Sequence, residues 1–126
     1  MKVLGVDHLV LTVRDLEATV DFYTRVLGMS VHAFEGGRLA LRFGSQKINL
    51  HEAGHEFEPK AARALPGSAD ICFVGESSPE EWLDHLAASG VDAVEGPVRR
   101  LGALGPMTSV YFRDPDGNLL EVACYS

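Results

Sequence analysis

Polar side chains interrupt strand-like apolar runs at four places in this chain. His8 lies in Asp7-His8-Leu9-Val10-Leu11, and Asn49 and His51 in Lys47-Ile48-Asn49-Leu50-His51. Asp70 lies in Ala69-Asp70-Ile71-Cys72-Phe73-Val74, and Glu121 in Asn118-Leu119-Leu120-Glu121-Val122. A carboxylate between Leu120 and Val122 is costly to bury unless it is paired or bound to a metal. Imidazole nitrogen and carboxylate oxygen together suit Zn, Mn, Fe, Co or Ni, and no thiolate is placed to favour a closed structural zinc site. No short motif such as His-Glu-x-x-His joins these donors, so separate strands must bring them together. Each also has a plain structural reading: His8 as a hydrogen-bonded strand residue, Glu121 as the ion-pair partner of an Arg or Lys across a sheet.

The elements that would position them occur twice. A segment from Asp7 runs through an amphipathic stretch, Asp15 to Leu27, and ends at His51; a second runs from Ala69 through Ser78 to Ser89 and ends at Val122. Both read strand, helix, strand, strand, strand, which gives an α+β fold of two βαβββ modules. Ser78-Pro79-Glu80-Glu81 is a capping box with proline at the first helical position, and Gly90 ends that helix. Its apolar stripe is Trp82, Leu83, Leu86 and Ala87. In the first helix Asp15 is the cap, Leu16, Val20, Tyr23 and Leu27 form the stripe, and Gly28 is the stop.

Alternation assigns the strand faces. Leu9, Leu11 and Val13 oppose His8, Val10 and Thr12; Ile48 and Leu50 oppose Lys47, Asn49 and His51. Ile71 and Phe73 oppose Asp70 and Cys72, and Leu120 and Val122 oppose Leu119 and Glu121. The apolar faces should meet the helices. The other faces then line a cupped sheet with His8, Asn49, His51, Asp70 and Glu121, joined by Ser109 and Tyr111 from Thr108 to Arg113. Lys47, Asn49 and Tyr111 become candidates for orienting a substrate. Module one is expected over about residues 1–54, a linker over 55–68 containing Pro59, Pro66 and Gly67, and module two over 69–126. The Gly96-Pro97 to Gly105-Pro106 stretch reads as a loop from which Arg99 or Arg100 reaches a carboxylate or phosphate, unless the pair is simply solvated. Asp114-Pro115-Asp116-Gly117 reads as the turn of a final hairpin.

Composition narrows the class. The 126 residues, 46% of them hydrophobic, suffice for one compact domain or two modules sharing a core. No apolar run approaches the roughly 20 residues of a membrane span, and no signal-peptide pattern opens the chain, so a soluble cytoplasmic protein is expected. A formal charge of -7 would repel nucleic acid and anionic lipid, which argues against both as partners. Cys72 and Cys124 each fall in a strand and are expected as reduced, buried thiols.

The Asp7-His8 opening, the Phe22-Tyr23-x-x-Val26-Leu27-Gly28 helix end, and the run from Phe112-Arg113-Asp114 to Glu121-Val122 resemble the vicinal oxygen chelate superfamily of glyoxalases, bleomycin-resistance proteins and extradiol dioxygenases. The resemblance covers nearly the whole chain, and paired βαβββ modules are that superfamily's architecture. It implies metal ligands at His8 and Glu121. The superfamily's third ligand falls on Asp70, with His51 available to supply a second imidazole, and its fourth position falls on Asn49 instead of Glu or Gln. Loss of that carboxylate departs from the two-base proton shuttle of glyoxalase I, leaving Glu121 or Asp70 as base. The resemblance further implies a homodimer whose sites are shared between subunits.

The expectation is a glyoxalase-like lyase or isomerase with a divalent transition metal (Zn, Ni, Mn, Fe or Co) and a small substrate that chelates it through neighbouring oxygens. An extradiol-type dioxygenase and a metal-free small-molecule binder of the bleomycin-resistance kind are the alternatives.

Overall fold

The computed structural model describes residues 1–125. Its elements run β1 (His8–Val13), α1 (Leu16–Arg25), β2 (Ser30–Phe34), β3 (Arg38–Phe43), β4 (Gln46–Glu52), β5 (Asp70–Val74), α2 (Pro79–Ala88), β6 (Glu95–Gly102), β7 (Gly105–Arg113) and β8 (Leu119–Tyr125), with a 3-10 turn at Glu35–Gly37. The two βαβββ repeats are therefore present. The chain divides into two compact units, Met1–Pro66 and Gly67–Ser126. Each holds one mixed four-stranded sheet, ordered β1-β4-β3-β2 in the first and β5-β8-β7-β6 in the second.

The helices form where their caps dictate. Asp15 has extended backbone angles and its side chain accepts from the Ala18 N–H at 3.0 Å, satisfying one of the donors that open α1. Ser78 and Glu81 form the reciprocal capping box of α2. That helix ends in a Schellman motif, with Val91 N–H bonded to Leu86 O and Gly90 N–H to Ala87 O. Gly90 takes the left-handed conformation, φ 75°, that this cap requires.

In the first unit α1 covers one face of the sheet. Phe22, Tyr23 and Val26 are buried together with Leu11, Val13, Leu41, Ile48 and Leu50. The buried stripe of α1 is rotated from the expected one: Thr19, Phe22, Tyr23 and Val26 face inward, while Leu16, Val20 and Leu27 are only half-buried. Thr19 can turn inward because its hydroxyl donates to Asp15 O at 2.8 Å, leaving no unmet polar group. In the second unit Leu86, Val110, Phe112, Leu120 and Val122 are buried. Ala87 is exposed rather than part of the stripe.

The stretch expected as a loop is instead β6, paired antiparallel with β7, with a register shift between Glu95 and Val98. Its glycines and prolines mark that irregularity and the tight turn into β7, not an absence of pairing. Asp114 to Gly117 does turn the chain between β7 and β8. Asp114 Oδ1 accepts from the Asp116 and Asn118 N–H groups, and Asn118 Nδ2 donates to Asp114 Oδ2 at 2.7 Å. Asn118 Oδ1 accepts from Ala69 N at 2.9 Å, which locks the entry of β5 beside β8. This run is a structural clasp that holds Asp70 and Glu121 on neighbouring strands.

Candidate functional site

Strand register sets what lies beside what on the face of the first sheet opposite the α1-facing core. β1 and β4 are parallel, with His8 opposite Lys47, Val10 opposite Asn49 and Thr12 opposite His51. β3 continues two of these rows with Arg42 beside Lys47 and Ala40 beside Asn49. His8 and His51 thus share a face but stand four residues apart along the strands, roughly 13 Å at the usual rise. One ion cannot be bound by both within this unit at ordinary ligand lengths.

His8 is half-exposed, and its Nδ1 lies 2.8 Å from Asp7 Oδ2. With Nδ1 donating to that carboxylate, Nε2 carries the free lone pair. Its neighbour Lys47 sets its ammonium over the Phe34 ring at 4.2 Å. A cleft lined by Asp7, Arg42, Gly44, Ser45, Gln46 and Lys47 opens beside this row.

His51 is 8% exposed. Its Nδ1 and the Oδ1 of Asn49 are buried with no hydrogen-bond partner among the described residues. The Phe57 ring packs edge-on against His51 at 5.4 Å, and the Arg38 guanidinium lies 3.9 Å from the Phe57 ring centre. Burial, reinforced by Arg38, pushes the His51 pKa below its ordinary value and keeps the imidazole neutral.

In the second unit Glu121 sits between Cys72 of β5 and Tyr111 of β7 in one cross-strand row. It is 8% exposed, and Ser109 Oγ donates to its Oε2 at 2.5 Å. Asp70, exposed, pairs with Leu119, diagonally adjacent to Glu121. Cys72 is exposed and Cys124 buried, both as free thiols, so the expectation of two buried thiols fails for Cys72. Desolvation of its sulfur and the neighbouring Glu121 carboxylate push the Cys72 thiol up to about 11. It is therefore a proton-bearing group at neutral pH, not a thiolate.

Arg100 is on a strand, not a loop, and is already engaged. Its Nε donates to Tyr111 Oη at 3.0 Å and its Nη2 lies 3.5 Å from Glu95. Burial raises the Tyr111 pKa, partly opposed by Arg100. Arg99 is exposed and, by strand alternation, points to the opposite face from Arg100. Among the described residues no three His, Cys, Asp or Glu side chains cluster as a metal site. Asp7, Cys72, Arg38 and Phe57 were not among the expected site residues. Parity alone could have found Arg38, since Leu39 and Leu41 alternate with Arg38 and Arg42, but Phe57 arrives from an irregular segment that no periodicity marks.

The profile of the Glyoxalase/Bleomycin resistance protein/Dioxygenase superfamily matches residues 5–122. The chain belongs to this superfamily. A glyoxalase domain-containing protein of Mycosarcoma maydis is 56% identical over 125 residues, covering 99% of this chain and 70% of the relative. The solved virulence protein of Salmonella typhimurium is 50% identical over the full length of both chains, with a TM-score of 0.98. More distantly, a metallothiol transferase of Shouchella clausii is 30% identical over 94% of this chain and 78% of the relative. Superfamily membership accounts for the paired βαβββ units. No helix among the described residues is long and apolar enough to cross a membrane.

Proposed function

We propose that this superfamily member is a metal-dependent enzyme of the glyoxalase-like lyase or isomerase kind, acting on a small molecule that offers two neighbouring oxygens to a divalent transition ion. The observation that carries the reading is His8, whose Nδ1 is held by Asp7 so that Nε2 is free to coordinate. His8, Asp70 and Glu121 are the residues that would hold the ion, and their donors fit one: an oriented imidazole, an exposed carboxylate, and a buried carboxylate fixed by Ser109. His51 stands four residues along the strands from His8, which supports a role with the substrate and not with the same ion.

When bound, the ion supplies a Lewis acid for charge that develops on a substrate oxygen. The chain's own groups handle the proton. Glu121, with one oxygen engaged by Ser109, is the base that takes the proton from one substrate carbon and returns it to the next. Tyr111, tethered by Arg100, borders the same row and orients the substrate. The sites belong to a homodimer, with His8 of one copy meeting Asp70 of the partner subunit and Glu121 of the partner subunit.

A second reading, thiol transfer to a small electrophile, is favoured by the relationship to the metallothiol transferase. One assay separates them. Metal-restored protein is given the hemithioacetal formed from an α-ketoaldehyde and a thiol, then the thiol with an epoxide. Isomerised thioester, lost in Glu121→Gln, supports the lyase reading; thioether formation alone supports transfer; neither, in fully metal-loaded protein, contradicts the enzymatic assignment.

A further inference from the structure

We propose that the His51 end of the first unit's polar face is an oxyanion subsite, built by His51, Arg38 and Asn49, that takes the carboxylate or phosphate of the substrate together with an adjacent hydroxyl or N–H donor. The inference deepens the function proposed above by naming a substrate class, but its observations do not involve the metal.

Three unmet groups specify the ligand. The Nδ1 of His51 is buried without a partner, on a side chain only 8% exposed. Leaving such a group unmet costs free energy that a bound ligand recovers. The Arg38 guanidinium, 3.9 Å from the Phe57 ring centre, has no carboxylate partner among the described residues. Its fork of donors is thereby presented with the stem already ordered, which lowers the entropy lost on binding. A neutral His51 donating from Nδ1 beside Arg38 offers two kinds of donor to one oxyanion.

The third group has the opposite demand. Asn49 Oδ1 is an acceptor, buried and unpartnered, and it lies two residues nearer to His8, about 7 Å along the strand. An oxyanion cannot satisfy it; a hydroxyl or N–H can. The ligand therefore places its anionic end at Arg38 and His51 and a donor at Asn49. Its remaining length extends toward His8.

The Glu56 carboxylate acts on His51, and it is already occupied by Lys60 at 3.0 Å and by the Gly54 N–H. It therefore does not fill the site with charge of its own. Paired with each other, Lys60 and Glu56 act on His51 with opposite sign, so Arg38 is the cation that the subsite rests on.

The test uses the full chain labelled with 15N, titrated at pH 7.5 and constant ionic strength with inorganic phosphate and, separately, with glycolate. The ring nitrogens of His51 are the reporter. Saturable movement of Nδ1 by either anion, kept in His8→Ala and weakened about 10-fold or more in Arg38→Met, supports the subsite. The methionine keeps the stem over Phe57, and Arg38→Lys should recover part of the affinity. Preference for glycolate over phosphate assigns a hydroxy-carboxylate end; the reverse assigns a phosphate. Absence of any His51 response, or affinity unchanged in Arg38→Met, overturns the proposal. Binding lost in His8→Ala but kept in Arg38→Met means that the anion sits on the metal, which overturns the subsite while leaving the metal reading intact.

Discussion

Asp7 Oδ2 lies 2.8 Å from Nδ1 of His8, so the residue that precedes the imidazole in sequence also fixes which of its nitrogens is free. A carboxylate in this place orients the ring as a ligand. Asp7→Asn should weaken metal affinity by roughly 10- to 100-fold while the fold stays intact. Competition against a chromophoric chelator measures this. Equal affinities would mean that the Asp7 contact contributes nothing to coordination.

Asn118 is 1% exposed and ties the final hairpin to the entry of β5. Asn118→Ala removes its side-chain bonds to Ala69 N and Asp114 Oδ2. The loss should be about 2 to 4 kcal/mol of unfolding free energy, read from urea denaturation. A change confined to a few tenths would show that the clasp is dispensable.

Much of this was legible in the sequence, and the reasons differ by residue. Parity placed His8 opposite Leu9 and Glu121 opposite Leu120, because a strand's period of two is a local property. The caps at Asp15 and Ser78 were legible for the same reason. Register is not local. Nothing in the sequence says that Thr12, not His8, lies beside His51, and that pairing is what separates the two histidines. β6 was hidden because Gly96-Pro97 and Gly105-Pro106 read as loop punctuation, although they mark a register shift and a tight turn. The exposure of Cys72 was hidden because a cysteine within a strand reads as a buried thiol, although alternation already set it on the face of Asp70.

Cys72 gives a pH prediction. Its thiol is raised from an ordinary 9.0 to about 11 by desolvation and by the Glu121 carboxylate. Folding therefore holds this proton more tightly than the unfolded chain does, a contribution to stability present below pH 9 and lost as pH rises toward 11. Alkylation by iodoacetamide at pH 8 should be about 100-fold slower than for an ordinary exposed thiol, and should accelerate in Glu121→Gln, which removes a charge that opposes the thiolate. Rapid alkylation of the wild-type chain at pH 8 would contradict the assignment of Cys72 as a protonated group.

The most direct measurement is elemental analysis of the purified protein beside His8→Ala and Glu121→Gln, each checked for folding by circular dichroism. The account predicts about one divalent transition ion per chain in the wild type, after loading if needed, and near-background content in both variants. Wild-type metal content retained in both folded variants would contradict it.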